Sequence, residues 1–213
     1  YAGGVQVGSA TGTAGINLSM TGKLMVPYPP AKLLCNNTAC PDIPPPPGTP
    51  KGDNILAPGA INLNVGTGLM AGCMTMDDQP ICFQSLLSRV TMTASTGDIA
   101  LGLYKNNLRH YADIEGKGVT LTALDGSIIV DYVTYVTSTG DSLDMSAKTA
   151  VRVLRSGGFS GATFFTSGIT PVTIDAPAFE MNSGGAIASS NGPLTLTADD
   201  VYIKSTMRAP YNT

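Results

Sequence analysis

The chain has 213 residues, 43% of them hydrophobic, which is enough to fill a core and too much for a disordered chain. Charged residues are only 13%, and 12 basic against 15 acidic side chains give a net charge of −3, so no basic surface exists to neutralise a run of phosphates and no nucleic-acid partner is expected. No apolar run reaches the roughly 18–20 residues of a membrane-spanning helix, and no basic segment followed by an apolar one opens the chain, so no membrane span is expected and any signal peptide is expected to have been removed.

Gly 25 and Pro 15 accompany abundant Thr, Ser, Val and Ile, the mixture of many short strands joined by tight turns. The expected class is all-β, a β-sandwich or a β-helical stack of short strands with an N-terminal alternating strand extension. Three regions are expected: 1–30 as the extension, 31–60 as a Pro-rich stapled loop, and 61–213 as a β domain.

The extension opens with the Gly-rich stretch YAGGVQVGSATGTAG, which carries Val5 and Val7, and then alternates through Ile16, Leu18, Met20, Leu24 and Val26. That series predicts one strand with a single apolar face. Gly22 stands on the same face between Met20 and Leu24, where a missing side chain marks a bulge, a close backbone approach or a bend.

From Tyr28 to Pro58 nine prolines interrupt the chain, leaving little room for ladder hydrogen bonds. Pro44 to Pro47 suit a short polyproline II spacer. Four cysteines form two close pairs, Cys35 with Cys40 and Cys73 with Cys82. Structural zinc sites usually place two residues between neighbouring cysteines, whereas four and eight intervene here and His110 is the single histidine, so two local disulfides are expected. Disulfides persist in oxidising compartments, which implies a secreted or cell-surface protein. Asn36-Asn37-Thr38 also fits a glycosylation sequon.

The later chain carries a repeated motif: VTMTA ending at Ala94, VTLTA at Ala123, LDMSA at Ala147, VTIDA at Ala176 and LTLTA at Ala198, offset by 29, 24, 29 and 22 residues. Every copy reads apolar, polar, apolar, polar, Ala, which sends positions one, three and five to one buried face of a strand. Turn-forming residues and a second apolar run follow, as at Ile99 to Leu103 and Ile128 to Val130. Each unit is expected to be strand, corner, strand, with the alanine at a crowded corner and glycines such as Gly97, Gly126, Gly140 and Gly158 at the outer turns. Such a period denotes a solenoid, while its irregular spacing suits a sandwich.

Signals for chemistry are weak. His110, in KNNLRHYADIEG, is the lone candidate proton shuttle and reads as a loop residue. Asp77 with Asp78, Asp141 with Asp144, and Asp199 with Asp200 are adjacent or turn residues, a poor arrangement for paired carboxylate catalysis. Asp98, Asp125 and Asp141 lack the regular Gly-Asp spacing of a calcium array. No P-loop, dinucleotide fingerprint or EF-hand loop occurs, and no catalytic role, metal or cofactor is expected.

VTLTA…GSIIV and LTLTADDVYIKS resemble the rungs of secreted bacterial β-helical adhesins of the filamentous-haemagglutinin type and, distantly, phage and type VI spike stems. INLSMTGKLMVPYPP followed by a cysteine is similar to the opening of chaperone-usher pilus subunits, a resemblance that implies donation of the N-terminal strand to a neighbouring subunit. The expected function is therefore a structural subunit of an extracellular bacterial filament, a homopolymer joined through Val5, Val7, Ile16, Leu18, Met20, Gly22, Leu24 and Val26. The alternative is a non-polymeric adhesin or spike segment whose Cys35 to Pro50 loop contacts a cell-surface or matrix ligand; a polysaccharide-acting β-helix enzyme is the third reading.

Overall fold

The computed structural model describes residues 5–6, 13–27, 34–35, 38–39, 55–72, 82–105, 108–110, 112–131, 134–154, 163–166, 170–190, 192–204 and 206–208. The chain winds through three parallel sheets in turn, one strand per sheet per coil. The first coil is β1 (Val5–Gln6), β2 (Ile16–Met20) and β3 (Leu24–Pro27), followed by a small hairpin, β4 (Leu34–Cys35) with β5 (Thr38–Ala39). The second is β6 (Ile55–Ala57), β7 (Ile61–Val65) and β8 (Leu69–Gly72); the third is β9 (Phe83–Ser85), β10 (Arg89–Ala94) and β11 (Ile99–Leu101). A hairpin of β12 (Leu103–Lys105) and β13 (Leu108–His110) precedes the fourth coil, β14 (Ile114–Gly116), β15 (Gly118–Ala123) and β16 (Ile128–Val130). The fifth is β17 (Tyr135–Ser138), β18 (Leu143–Ala147) and β19 (Ala150–Val153); the sixth is β20 (Thr163–Thr166), β21 (Val172–Asp175) and β22 (Ala178–Met181). The seventh is β23 (Ala186–Ser189), β24 (Leu194–Thr197) and β25 (Asp200–Ile203), and β26 (Thr206–Arg208) begins an eighth.

All-β is therefore correct, and of the two expected architectures the stack of coils is the one observed. The sandwich fails because every pairing between coils is parallel, whereas hairpin-built sandwiches pair antiparallel. Parallel sheets usually carry helices on both faces and read as continuous apolar runs. Here each strand is followed by a strand of the next sheet, so the outer face meets water and strict alternation survives.

The second sheet shows why these residues make these strands. Val90, Met92 and Ala94 stand opposite Val119, Leu121 and Ala123, and these opposite Leu143, Met145 and Ala147. All nine are buried, each larger side chain contributing about 1.5–3 kcal/mol by leaving water. The alternating Thr and other polar residues face outward. The motif alignment is thus the ladder register itself. Two further levels belong to the same columns, Ile61-Leu63-Val65 and Ile16-Leu18-Met20. Val65 is as buried as the alanines at that corner, so the corner accepts more than a methyl group.

Two expectations are corrected. The unit is three strands rather than two, because a short strand of the first sheet opens each coil. The N-terminal series is two strands on different sheets: β2 pairs with β7 and β3 with β8 of the same chain, and Ile16, Leu18, Met20 and Leu24 pack on the common core. Gly22 lies in the turn between them, where an added Cβ would meet nothing within 4 Å, and its carbonyl accepts the Gly66 and Thr67 N–H groups. It marks a bend, with no bulge and no close approach.

Most of the irregular motif spacing arises at one corner. Connections from the third sheet back to the first vary from 28–54 down to 204–205, while the strands keep their register. The corner between second and third sheets is close-packed: Gly97 has φ +77°, and a Cβ on Gly126 would stand 2.1 Å from the Gly97 carbonyl oxygen. Buried serines close the corner between first and second sheets. Ser85 Oγ donates to the Gly59 carbonyl at 2.7 Å and accepts the Ser88 N–H, and Ser189 Oγ accepts the Gly192 N–H at 2.9 Å.

Candidate interaction site at the ends of the coil stack

A stack of parallel coils satisfies every internal strand edge and leaves two ends. At one end β2 and β3 are the terminal strands of the second and third sheets, at the other β24 and β25. Among the described residues no strand pairs with the far side of any of these four, so each offers its backbone N–H and C=O groups as a template for further pairing. The inward apolar rows end there too. Leu194 and Leu196 are only partly covered, and Val201 and Ile203, which continue the columns of Phe179 and Met181, are 50% and 41% exposed. At the opposite end Ile16, Leu18, Met20 and Leu24 are likewise only partly covered.

Between the last three coils the outer face of the third sheet forms a groove of about 340 Å³, lined in part by Arg152, Glu180, Asp200 and Tyr202. Arg152 Nε lies 3.8 Å from Glu180 Oε2, and Lys204 Nζ sits 5.0 Å from the centre of the Tyr202 ring.

The strongest polar cluster straps three coils together. Arg89 at the start of β10 reaches Asp141 Oδ2 at 2.6 Å, Ser142 Oγ at 3.0 Å, Thr120 Oγ1 at 2.8 Å and Asp144 Oδ2 at 3.2 Å. It does so by lying over Gly118, where a Cβ would stand 2.6 Å from the guanidinium carbon. Arg89 holds the Asp141 carboxyl below its usual range. Sequence reasoning missed this residue, although a signal existed: Arg89, Gly118 and Ser142 occupy the same place before three copies of the motif.

Asp113 is perturbed in the opposite direction. Its carbonyl accepts the Cys82 and Phe83 N–H groups at 2.8 and 3.1 Å, and its Oδ1 accepts the Tyr135 N–H at 2.9 Å. Burial raises its pKa to about 6, against the opposing effect of the Tyr135 bond.

The other expected residues separate. Ile16, Leu18, Met20 and Leu24 are gathered at the first coil; Val5 lies in β1 and Val26 in β3, and Val7 falls outside the described residues. Cys82 is buried and not a free thiol; Cys40 and Cys73, the sequon residue Asn36, and Asp77 with Asp78 lie outside the described residues, and Cys35 is described only as part of β4. His110 stands opposite Leu103 in a hairpin rather than in a loop. Asp141 and Asp144 serve Arg89, Asp98 Oδ1 accepts the Ser127 N–H at 2.8 Å, and the N–H groups of Asp199 and Asp200 bond the Pro177 carbonyl. Among the described residues no three His, Cys, Asp or Glu side chains converge to hold a metal, and no helix is long and apolar enough to cross a membrane. No family model, curated protein or solved structure matches this chain.

Proposed function

We propose that the protein is a structural, non-enzymatic subunit of an extracellular bacterial filament that polymerises end to end through its N-terminal coil. The observation that carries this reading is the match of the two ends in register and composition. Setting β2 of a second copy on β24 puts Ile16 opposite Leu194, Leu18 opposite Leu196 and Met20 opposite Ala198, a large side chain meeting a small one. Setting β3 on β25 puts Leu24 opposite Val201 and Val26 opposite Ile203. Main-chain pairing across such an edge supplies affinity and the apolar columns fix the register. A head-to-tail contact that does not close on itself propagates as an open fibre. The neighbour thus receives the far edge of a folded coil, in place of a free strand.

Covering the exposed halves of Val201 and Ile203 is worth about 1 kcal/mol each. Ile203→Asp and, independently, Leu18→Asp would bury an unpaired carboxylate at the contact and are expected to abolish assembly. Sedimentation velocity over a concentration series, with negative-stain images, reads the result. A chain that stays monomeric at every concentration, or an Ile203→Asp variant that assembles as the parent does, rejects the proposal. The extracellular assignment rests on cysteine pairing, Cys35 with Cys40 and Cys73 with Cys82, and a non-reduced peptide map tests it.

A second reading is a non-polymeric module that binds a surface ligand. It is favoured by the groove in which the exposed Tyr202 ring adjoins the Arg152 and Glu180 side chains, a combination suited to stacking on and hydrogen-bonding a sugar. A glycan array probed with parent and Tyr202→Ala protein tests it.

A further inference from the structure

The first sheet behaves differently from the other two at the joint, because the first and the last of the described strands both belong to it. Each coil starts on the first sheet, so β1 opens the first coil and β26 opens an eighth. If β2 and β3 of an incoming copy sit on β24 and β25, the incoming β1 falls on the level already held by β26. Successive strands of a sheet stand about 4.8 Å apart, so one level takes one strand.

Resting on the end-to-end reading, we infer that β26 keeps this level and displaces β1 of the next copy, making a joint coil whose first side comes from one chain and whose other two sides come from its neighbour. The lengths of the connections favour β26. It is joined to β25 by 204–205 alone, with the Lys204 N–H bonded to the Met181 carbonyl at 2.8 Å, whereas 7–15 separate β1 from β2; a short connection has less loop entropy to lose. The ladder from Ile55 through Phe83, Ile114, Val136, Phe164 and Ile187 ends at Met207. In the joint coil Met207 of one copy therefore stands opposite Ile55 of the next, in the place Val5 holds in the free chain.

On this account β1 is a latch. It covers the β6 edge of the free subunit and must leave before a neighbour can dock fully, so it restrains assembly that β2 and β3 drive.

The test uses the full chain and three changes. Deleting residues 1–12 is expected to lower the concentration needed for assembly by about tenfold, the equivalent of one to two net backbone hydrogen bonds. Mixing Met207→Cys chains with Ile55→Cys chains under oxidation is expected to give a crosslinked heterodimer. Locking β1 in place with the Val5→Cys and Ile55→Cys pair is expected to block assembly until the bond is reduced. If the locked chain assembles like the parent and the mixed variants do not crosslink, β1 stays in place and the strand exchange is wrong while end-to-end assembly stands. If the parent chain itself does not assemble, both readings fall.

Discussion

Asp113→Asn should make the protein more stable at neutral pH and leave it unchanged in acid. Asp113 bridges three coils, its carbonyl to the start of β9 and its carboxylate to the start of β17, and burial raises its pKa from 3.8 to about 6. Because the folded-state value lies above the unfolded one, the folded protein binds the proton more tightly. The associated stability is complete below pH 3.8 and is lost as the pH rises through about 6. At about 1.4 kcal/mol per unit, the ionised carboxylate costs the fold up to about 3 kcal/mol at pH 7, roughly half of that at pH 5 and almost nothing at pH 3. Asparagine keeps an oxygen for the Tyr135 N–H and carries no charge, so it removes that cost. Urea unfolding of parent and variant at pH 3, 5 and 7 measures the gap between them. A gap that is the same at all three pH values, or a parent more stable than the variant at pH 7, would refute the desolvation argument.

Leu121→Ala empties a position buried in the middle of its column, between Met92 and Met145, and should cost about 2–5 kcal/mol in the same urea assay. Gly126→Ala sets a methyl group 2.1 Å from the Gly97 carbonyl oxygen, whereas Gly140→Ala meets nothing nearer than the Lys117 Cγ at 3.5 Å. Thermal melts should show a loss of about 1–3 kcal/mol for the first and less than about 0.5 for the second; equal losses would contradict the corner packing. Arg89→Ala removes the strap to Asp141 and Asp144, two partly exposed ion pairs, and should cost about 0.5–1 kcal/mol at low salt and less in 1 M salt. An NMR titration of Asp141 should show its pKa rising towards the usual carboxylate range in that variant.

Much of the second sheet was legible because its period-two pattern and its register are written in the same residues. Aligning the copies on alanine reproduced the ladder from Ala94 to Ala147, and the columns continue with Val172 and Ile174 and then Leu194 and Leu196. Strand direction was not legible, since a strand with one wet face alternates in the same way whether its neighbour is parallel or antiparallel. The anchor also hid two levels: Met20 and Val65 replace the alanine, although Ile16-Asn17-Leu18 and Ile61-Asn62-Leu63 keep the pattern. The first sheet escaped because strands such as Ile114–Gly116 and Phe83–Ser85 are too short to show a period. The ends were invisible for a different reason. Leu194 and Val201 look like any other rung residue in sequence, and only their place in the stack leaves them uncovered.

The uneven corners give the stack one side that takes long additions and one, between the second and third sheets, that stays short throughout. A chain lengthened where the third sheet returns to the first leaves the ladders untouched, and each doubling of such a loop costs only about 0.6 kcal/mol. The 28–54 and 204–205 connections coexist in one ladder on those terms. Between the first and second sheets the connections are shorter, from Lys117 alone between β14 and β15 to 7–15 between β1 and β2, and the second sheet keeps its register across them. The longest additions to this protein therefore sit along one edge. A peptide grafted in place of 155–162 would be displayed on that edge, and grafts in the other connections of the same edge would line up with it at the spacing of the coils.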